Sequence, residues 1–74
     1  MSLTPYHITV HKLTGREDAI EHAFACECET EWQALAIFDC VTRGVSGHYK
    51  AWLVDWTDIH NGRTVRESAV TWQD

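Results

Sequence analysis

The segment from Ile20 to Thr30 alternates between apolar and acidic side chains, and no other feature constrains the fold of this chain as strongly. Its apolar members fall on even positions and its carboxylates on odd positions: Ile20, Phe24, Cys26 and Cys28 against Glu21, Glu27 and Glu29. Because strand side chains alternate between faces with a period of two, one face should enter a core and the other should form a row of carboxylates. The pattern predicts a half-buried β-strand.

Two neighbouring segments also have clear patterns. Alternation of β-branched residues predicts a strand from Tyr6 to Leu13, and a turn around Gly15 would fold it onto the acidic strand as an antiparallel hairpin. Thr30 followed by Gln33 has the spacing of a capping box and predicts the start of a helix. That helix should end near Arg43, where a cation precedes a glycine.

The last third of the chain predicts a second hairpin. Strands are expected from Tyr49 to Thr57 and from Thr64 to Trp72, and Asn61-Gly62 favours a tight type I′ turn between them. A two-residue loop there sets the register: Trp56 opposite Glu67, Val54 opposite Ala69 and Leu53 opposite Val70.

The predicted fold is α+β, one small domain over residues 1–74 with the order β-β-α-β-β. A four-stranded, mainly antiparallel sheet would be packed on one face by the single helix. A chain of 74 residues is too short for a large internal pocket. The sheet face away from the helix is expected to show a polar set and an apolar pair: His7, Thr9, His11, Glu21, Glu27 and Glu29, with Leu53 and Val70.

Charge and composition narrow the functional class. A formal net charge of −5 would repel a phosphate backbone, so direct binding of nucleic acid is not expected. No apolar run approaches the roughly 18 residues of a membrane helix, and a signal-peptide pattern is absent from the first residues. Three cysteines do not suggest a secreted disulfide framework. We expect a cytoplasmic protein without membrane association, in the host cytoplasm if a phage encodes it.

A metal site is the first chemical alternative. His22, Cys26 and Cys28 share a predicted strand face with Cys40 above them, and four such ligands would suit zinc. Cysteines two apart in a strand, however, hold their Cβ atoms roughly 6.8 Å apart and do not converge as zinc knuckles do. We expect core cysteines with no metal and no cofactor, and keep a Cys/His zinc domain as a minor alternative.

Catalysis is the second alternative. By residue type alone, Cys40 could be a nucleophile with His48 or His22 as its base, or Asp55 and Asp58 could form a pair of catalytic carboxylates. The sequence contains no nucleophile elbow, Gly-rich phosphate loop or metal signature to support either pairing. We therefore expect a protein that is not an enzyme.

A protein-binding surface is the remaining class. Residues 17–31 contain no Lys or Arg, and Trp32 follows them on the outward side of the predicted helix. An exposed Trp bordered by carboxylates is typical of an interface anchor with an electrostatic rim. Alternatively, the carboxylates form a solvated face and Trp32 folds over the helix N-terminus. The expected partner is a protein with a basic surface, and the candidate partner-binding residues are Glu21, Glu27, Glu29, Glu31, Trp32 and Asp39.

In size, acidity and predicted layout, the chain resembles the small phage and prophage proteins that inhibit host defence complexes, the anti-CRISPR proteins among them. The resemblance is one of type and assigns no role to any residue. It implies stoichiometric binding and blocking of a larger nucleic-acid-processing protein complex, without catalysis. The alternative is a small cytoplasmic regulatory subunit or a homodimeric domain that uses the exposed sheet face.

Overall fold

The computed structural model describes residues 3–14, 19–45 and 47–71 and has the predicted α+β architecture. Its elements are β1 (Tyr6–Thr14), β2 (Ala19–Cys28), α1 (Glu31–Gly44), β3 (Tyr49–Asp55) and β4 (Arg63–Val70). The strands form one antiparallel sheet in the order β2-β1-β3-β4, with α1 against one face. The predicted turn around Gly15 lies outside the described residues.

The helix begins at the predicted capping residue. Thr30 has an extended backbone, and its hydroxyl oxygen accepts a hydrogen bond from the Gln33 amide at 3.4 Å. Glu31 in the first turn and Arg43 in the last turn both match the helix dipole. The cap therefore determines where the chain leaves β2 and enters α1.

The core lies between α1 and the two central strands. Ile8 of β1 and Leu53 of β3 are opposite each other in the sheet and are fully buried. Around them pack the other buried members of the cluster: Val10, Cys28, Ala34, Phe38, Tyr49 and Ala51. Among the described residues of β2, only Cys28 belongs to this buried cluster. Most of this edge strand is therefore not covered by the helix.

The burial predicted for β2 was therefore too high. Phe24 is opposite Val10, on the helix side as predicted, but its side chain is 43% exposed because β2 is the terminal strand of the sheet. A bulge shifts the register between Lys12 and Leu13, so that Ile20 falls out of phase with Phe24 and is also exposed.

The predicted register of the second hairpin was wrong. Glu67 lies opposite Trp52, not opposite Trp56, and Val70 lies opposite Tyr49. The loop is longer than two residues, because the ladder with β4 ends at the pair Asp55 and Arg63, and a bulge next to Leu53 and Val54 shifts the register further.

The faces of β3 are the reverse of those predicted. Leu53, expected on the face away from the helix, is completely buried beneath α1. The alternation of burial along β3 puts Trp52 and Val54 on the other side. We define the open face by the side chains that the register places there: His7, Thr9 and His11 of β1, with Lys50, Trp52 and Val54 of β3.

Asp58, and not a tight turn, organises the loop between β3 and β4. Its carboxylate accepts hydrogen bonds from the His60 amide at 3.0 Å and from the Asn61 side chain at 3.2 Å. These bonds hold the pKa of Asp58 below its usual range, that to His60 contributing most. Among the described glycines, only Gly47 has a positive φ, so the type I′ turn predicted at Asn61-Gly62 is not formed.

Gly62 packs against the indole ring of Trp56, which leaves no room for a larger side chain. A Cβ added at Gly62 would lie 2.7 Å from Cη2 of Trp56 and 2.8 Å from Cζ3. We expect Gly62→Ala to displace the indole and lower the free energy of unfolding by about 1 kcal/mol, as measured by urea melts.

Gly44→Ala is the matched control for that substitution. A Cβ at Gly44 meets no atom within 4 Å. Because alanine has the higher helix propensity, this variant should be neutral or more stable by up to about 1 kcal/mol. Equal losses in both variants would show that the contact with Trp56 is unimportant.

Candidate functional site

A groove of about 530 Å³ lies where the end of β2 meets the first turns of α1. Glu27, Glu29 and Trp32 line it, together with Thr4, Ala36 and Ile37. We call this site the Trp32 groove. It brings together three of the six residues that the sequence suggested for partner binding.

Local structure explains why these three side chains meet. β2 ends at Cys28, and the short connection through Thr30 turns the chain directly into α1. Glu29 therefore lies in the connection and Trp32 in the first turn of the helix. Apart from Thr4, the residues that line the groove lie between Glu27 and Ile37, and the hydrogen bond of the helix cap holds the turn between the strand and the helix.

Trp32 is the most exposed aromatic side chain among the described residues, with 71% of its surface accessible. The alternative that this indole folds over the helix N-terminus would require a much more buried ring. A large apolar surface is thus presented to solvent at a groove that Glu27 and Glu29 also line.

The Glu27 carboxylate is oriented by two neighbours. The Thr4 hydroxyl donates to Oε2 at 2.9 Å, and His7 Nε2 lies 3.5 Å from Oε1. Sequence reasoning missed Thr4, although the antiparallel hairpin that it predicted places the start of β1 beside the end of β2. These contacts fix the direction of a negative charge at the rim of the groove.

The remaining three predicted site residues lie outside the Trp32 groove. Each is near a cation: Glu31 is 3.8 Å from Arg63, Asp39 is 2.9 Å from Arg43, and Glu21 is 3.9 Å from Lys12 at the opposite end of β2. Alanines at positions 23 and 25 separate Glu21 from Glu27. The acidic row expected along β2 is therefore confined to its C-terminal end.

The open face is the second exposed surface that combines aromatic and polar groups. His11 and Trp52 are in edge-to-face contact, with ring centroids 5.0 Å apart and an interplanar angle of 82°. Sequence reasoning missed Trp52 because it assigned the face of β3 that carries Trp52 to the core. Small side chains surround this pair on the neighbouring strands, including Thr9 and Ala25.

Asp55, nominated as a catalytic partner of Asp58, has a structural role. Its buried carboxylate accepts hydrogen bonds from the Thr57 amide at 2.8 Å and from Arg63 Nη2 at 2.9 Å. The Thr57 amide first, and Arg63 second, hold the pKa of Asp55 below its ordinary range. This carboxylate anchors the end of β3.

The cysteines differ in environment. Cys28 is buried and Cys40 exposed, and burial first, then the neighbouring Cys26, raises the pKa of the Cys28 thiol. Within residues 3–14, 19–45 and 47–71, no three or more His, Cys, Asp or Glu side chains are placed to hold a metal ion together. The absence of metal remains a prediction from the cysteine spacing.

α1 is too short and too polar to cross a bilayer, and the described part of the chain contains no other helix that could do so. Comparison with protein-family models, with curated proteins and with solved structures gave no significant match.

Proposed function

We propose that the protein is a small, non-enzymatic binding protein that docks onto a basic surface of a larger protein through the Trp32 groove. The observation that carries this proposal is the exposure of Trp32 at a groove that Glu27 and Glu29 also line. An indole contributes a large contact area at low entropic cost, and bordering carboxylates select a cationic surface.

The overall charge supports the same choice of partner. A net charge of −5 attracts a basic surface over a distance of about 8 Å at physiological ionic strength. Proteins that process nucleic acids have basic surfaces because they bind phosphates. We therefore propose that the target is a nucleic-acid-processing complex, which the protein blocks stoichiometrically, as phage inhibitors of host defence do.

The open face supports a second candidate, a regulatory subunit or homodimer that associates through its sheet. Trp52 and His11 give that face an aromatic centre. An interface of this kind would depend mainly on apolar burial and would respond little to salt. The salt response of binding therefore separates the two candidates.

Site-specific photo-crosslinking tests where the partner binds. A photoreactive residue is introduced at Ala36, which is exposed and lines the Trp32 groove, and, as a control, at Ile59, which is 65% exposed in the loop between β3 and β4. In lysate of a candidate bacterial host, position 36 should capture a basic, nucleic-acid-processing protein that position 59 does not. Capture of one protein from both positions would contradict a specific docking site.

Binding measurements with the captured partner test the energetic role of Trp32. We expect Trp32→Ala to keep the fold, because the ring is mostly exposed, and to weaken binding by about 2 kcal/mol or more. Ile59→Ala is the matched control and should bind as wild type does. Surface-plasmon kinetics give both values, and circular dichroism confirms the fold. Wild-type affinity of Trp32→Ala would refute the proposed anchor.

A further inference from the structure

We infer that the outer edge of β2 accepts an extended basic segment of the partner as an added strand. This inference rests on the proposed function, because it takes the partner to be basic, and it names how that partner is held. Its basis is a regular edge strand, from Ala23 to Cys28, with which no other described strand pairs on its outer side. Backbone groups on such an edge are a template for pairing.

The helix leaves space for the side chains of an added strand. Besides the Trp32 groove, a second groove of about 280 Å³ lies between β2 and the end of α1, lined by Phe24, Val41 and Val45. Both grooves flank the helix side of β2, one near Cys28 and one near Phe24. Apolar side chains of an incoming strand would enter them and cover the exposed part of Phe24.

The two edges of the sheet differ in their protection. Along β4, two arginines, Arg63 and Arg66, flank a bulge at Val65, and both features discourage pairing. Between Ala23 and Cys28, β2 is regular, with Glu27 as its only charged residue. The β2 edge is therefore the better template.

Charge distinguishes a basic strand from a second copy of this chain. A second copy of this chain also carries a formal net charge of −5, so bringing two copies edge to edge costs electrostatic repulsion. A strand that alternates apolar and cationic residues instead places a cation beside Glu27. Over residues 23–28 it would pair along about 20 Å.

A synthetic peptide of about ten residues that alternates valine with lysine is the probe. Fluorescence anisotropy measures its affinity, and hydrogen exchange reports the amides that it protects. We expect protection of β2 amides and not of β4 amides. A peptide of the same sequence N-methylated at alternate residues, on the edge that would face β2, should not bind, because it lacks the donors for the added ladder.

Ala25→Lys and Ala69→Lys form a matched pair of variants. Both alanines are exposed on edge strands, Ala25 on β2 and Ala69 on β4. A lysine at 25 should repel the basic strand and weaken peptide binding by about tenfold or more, whereas a lysine at 69 adds the same charge and should change it by less than about twofold.

Three outcomes would overturn the inference: no peptide binding, equal weakening by both lysines, or a stable dimer of the wild-type protein that Ala25→Lys dissociates. Trp32 lies outside this strand, so the two proposals fail separately. If Trp32→Ala loses the captured partner while Ala25→Lys retains it, the groove proposal stands and strand addition is wrong. If the reverse holds, the β2 edge is the site and the groove is not.

Discussion

Leu53→Ala is expected to lower the free energy of unfolding by about 2–5 kcal/mol. Leu53 is fully buried beside Ile8, and truncation leaves a cavity that the closely packed cluster around α1 cannot fill. A domain of this length has a total stability of about 4–11 kcal/mol, so the substitution removes a large share of it. Urea melts followed by circular dichroism provide the measurement.

Phe24→Ala serves as the comparison for Leu53→Ala. Truncation of Phe24 to alanine removes more atoms than truncation of Leu53, but Phe24 is 43% exposed on the edge strand. We expect a loss of only about 1 kcal/mol, because less apolar surface returns to water and no closed cavity forms. A larger loss for Phe24 than for Leu53 would mean that the core is centred on β2 and that α1 covers a different part of the sheet.

Asp55→Asn should destabilise the protein by about 1–3 kcal/mol at neutral pH. The asparagine oxygen can still accept from the Thr57 amide, but the charge-assisted bond from Arg63 is lost and a side-chain amide group faces a guanidinium. The effect is limited because Arg63 itself is largely exposed.

The pH dependence of Asp55→Asn gives a second measurement. The pKa of Asp55 is lowered in the folded protein from an ordinary value of 3.8. The ionised carboxylate therefore stabilises the fold above that value, and its contribution disappears as the pH falls towards and through the folded pKa. Urea melts at about pH 7 and about pH 3 should show the difference between wild type and variant shrinking in acid. A difference that is constant or grows in acid would contradict this role.

The order of elements was predictable because local patterns determine it. Thr30 and Gln33 mark the start of the helix, and the alternation from Phe24 to Cys28 marks β2 and its inner face. These signals arise within a few residues along the chain, where propensity and periodicity act. The architecture follows, since one helix can cover only one face of such a sheet.

Features that depend on distant contacts were not predictable. Both faces of β3 carry apolar residues, so the sequence of the strand does not show which face is buried. The position of α1 decides that Leu53 is buried and Trp52 is not. The second hairpin has a different register because its ladder ends at Asp55 and Arg63 and β4 bulges at Val65, which the Asn61-Gly62 signal does not show. Such choices are made by tertiary packing, which a local pattern does not contain.

The candidate site was predictable in part for the same reason. Glu27, Glu29 and Trp32 are close in sequence, and the helix cap brings them together. Glu21 was included because strict alternation was assumed along β2, and the bulge opposite Lys12 and Leu13 breaks it. Glu31 and Asp39 were included for charge alone, and each lies near an arginine.

The dependence of partner binding on salt tests the central claim most directly. The partner captured from position 36 is bound to wild-type protein and to Glu29→Lys at about 0.1 M and about 1 M salt, where the screening lengths are about 10 Å and about 3 Å. We predict that wild-type affinity falls steeply with salt through slower association, and that Glu29→Lys binds more weakly with a flatter dependence. Wild-type affinity that is independent of salt and unchanged in Glu29→Lys would contradict docking of the Trp32 groove on a basic surface.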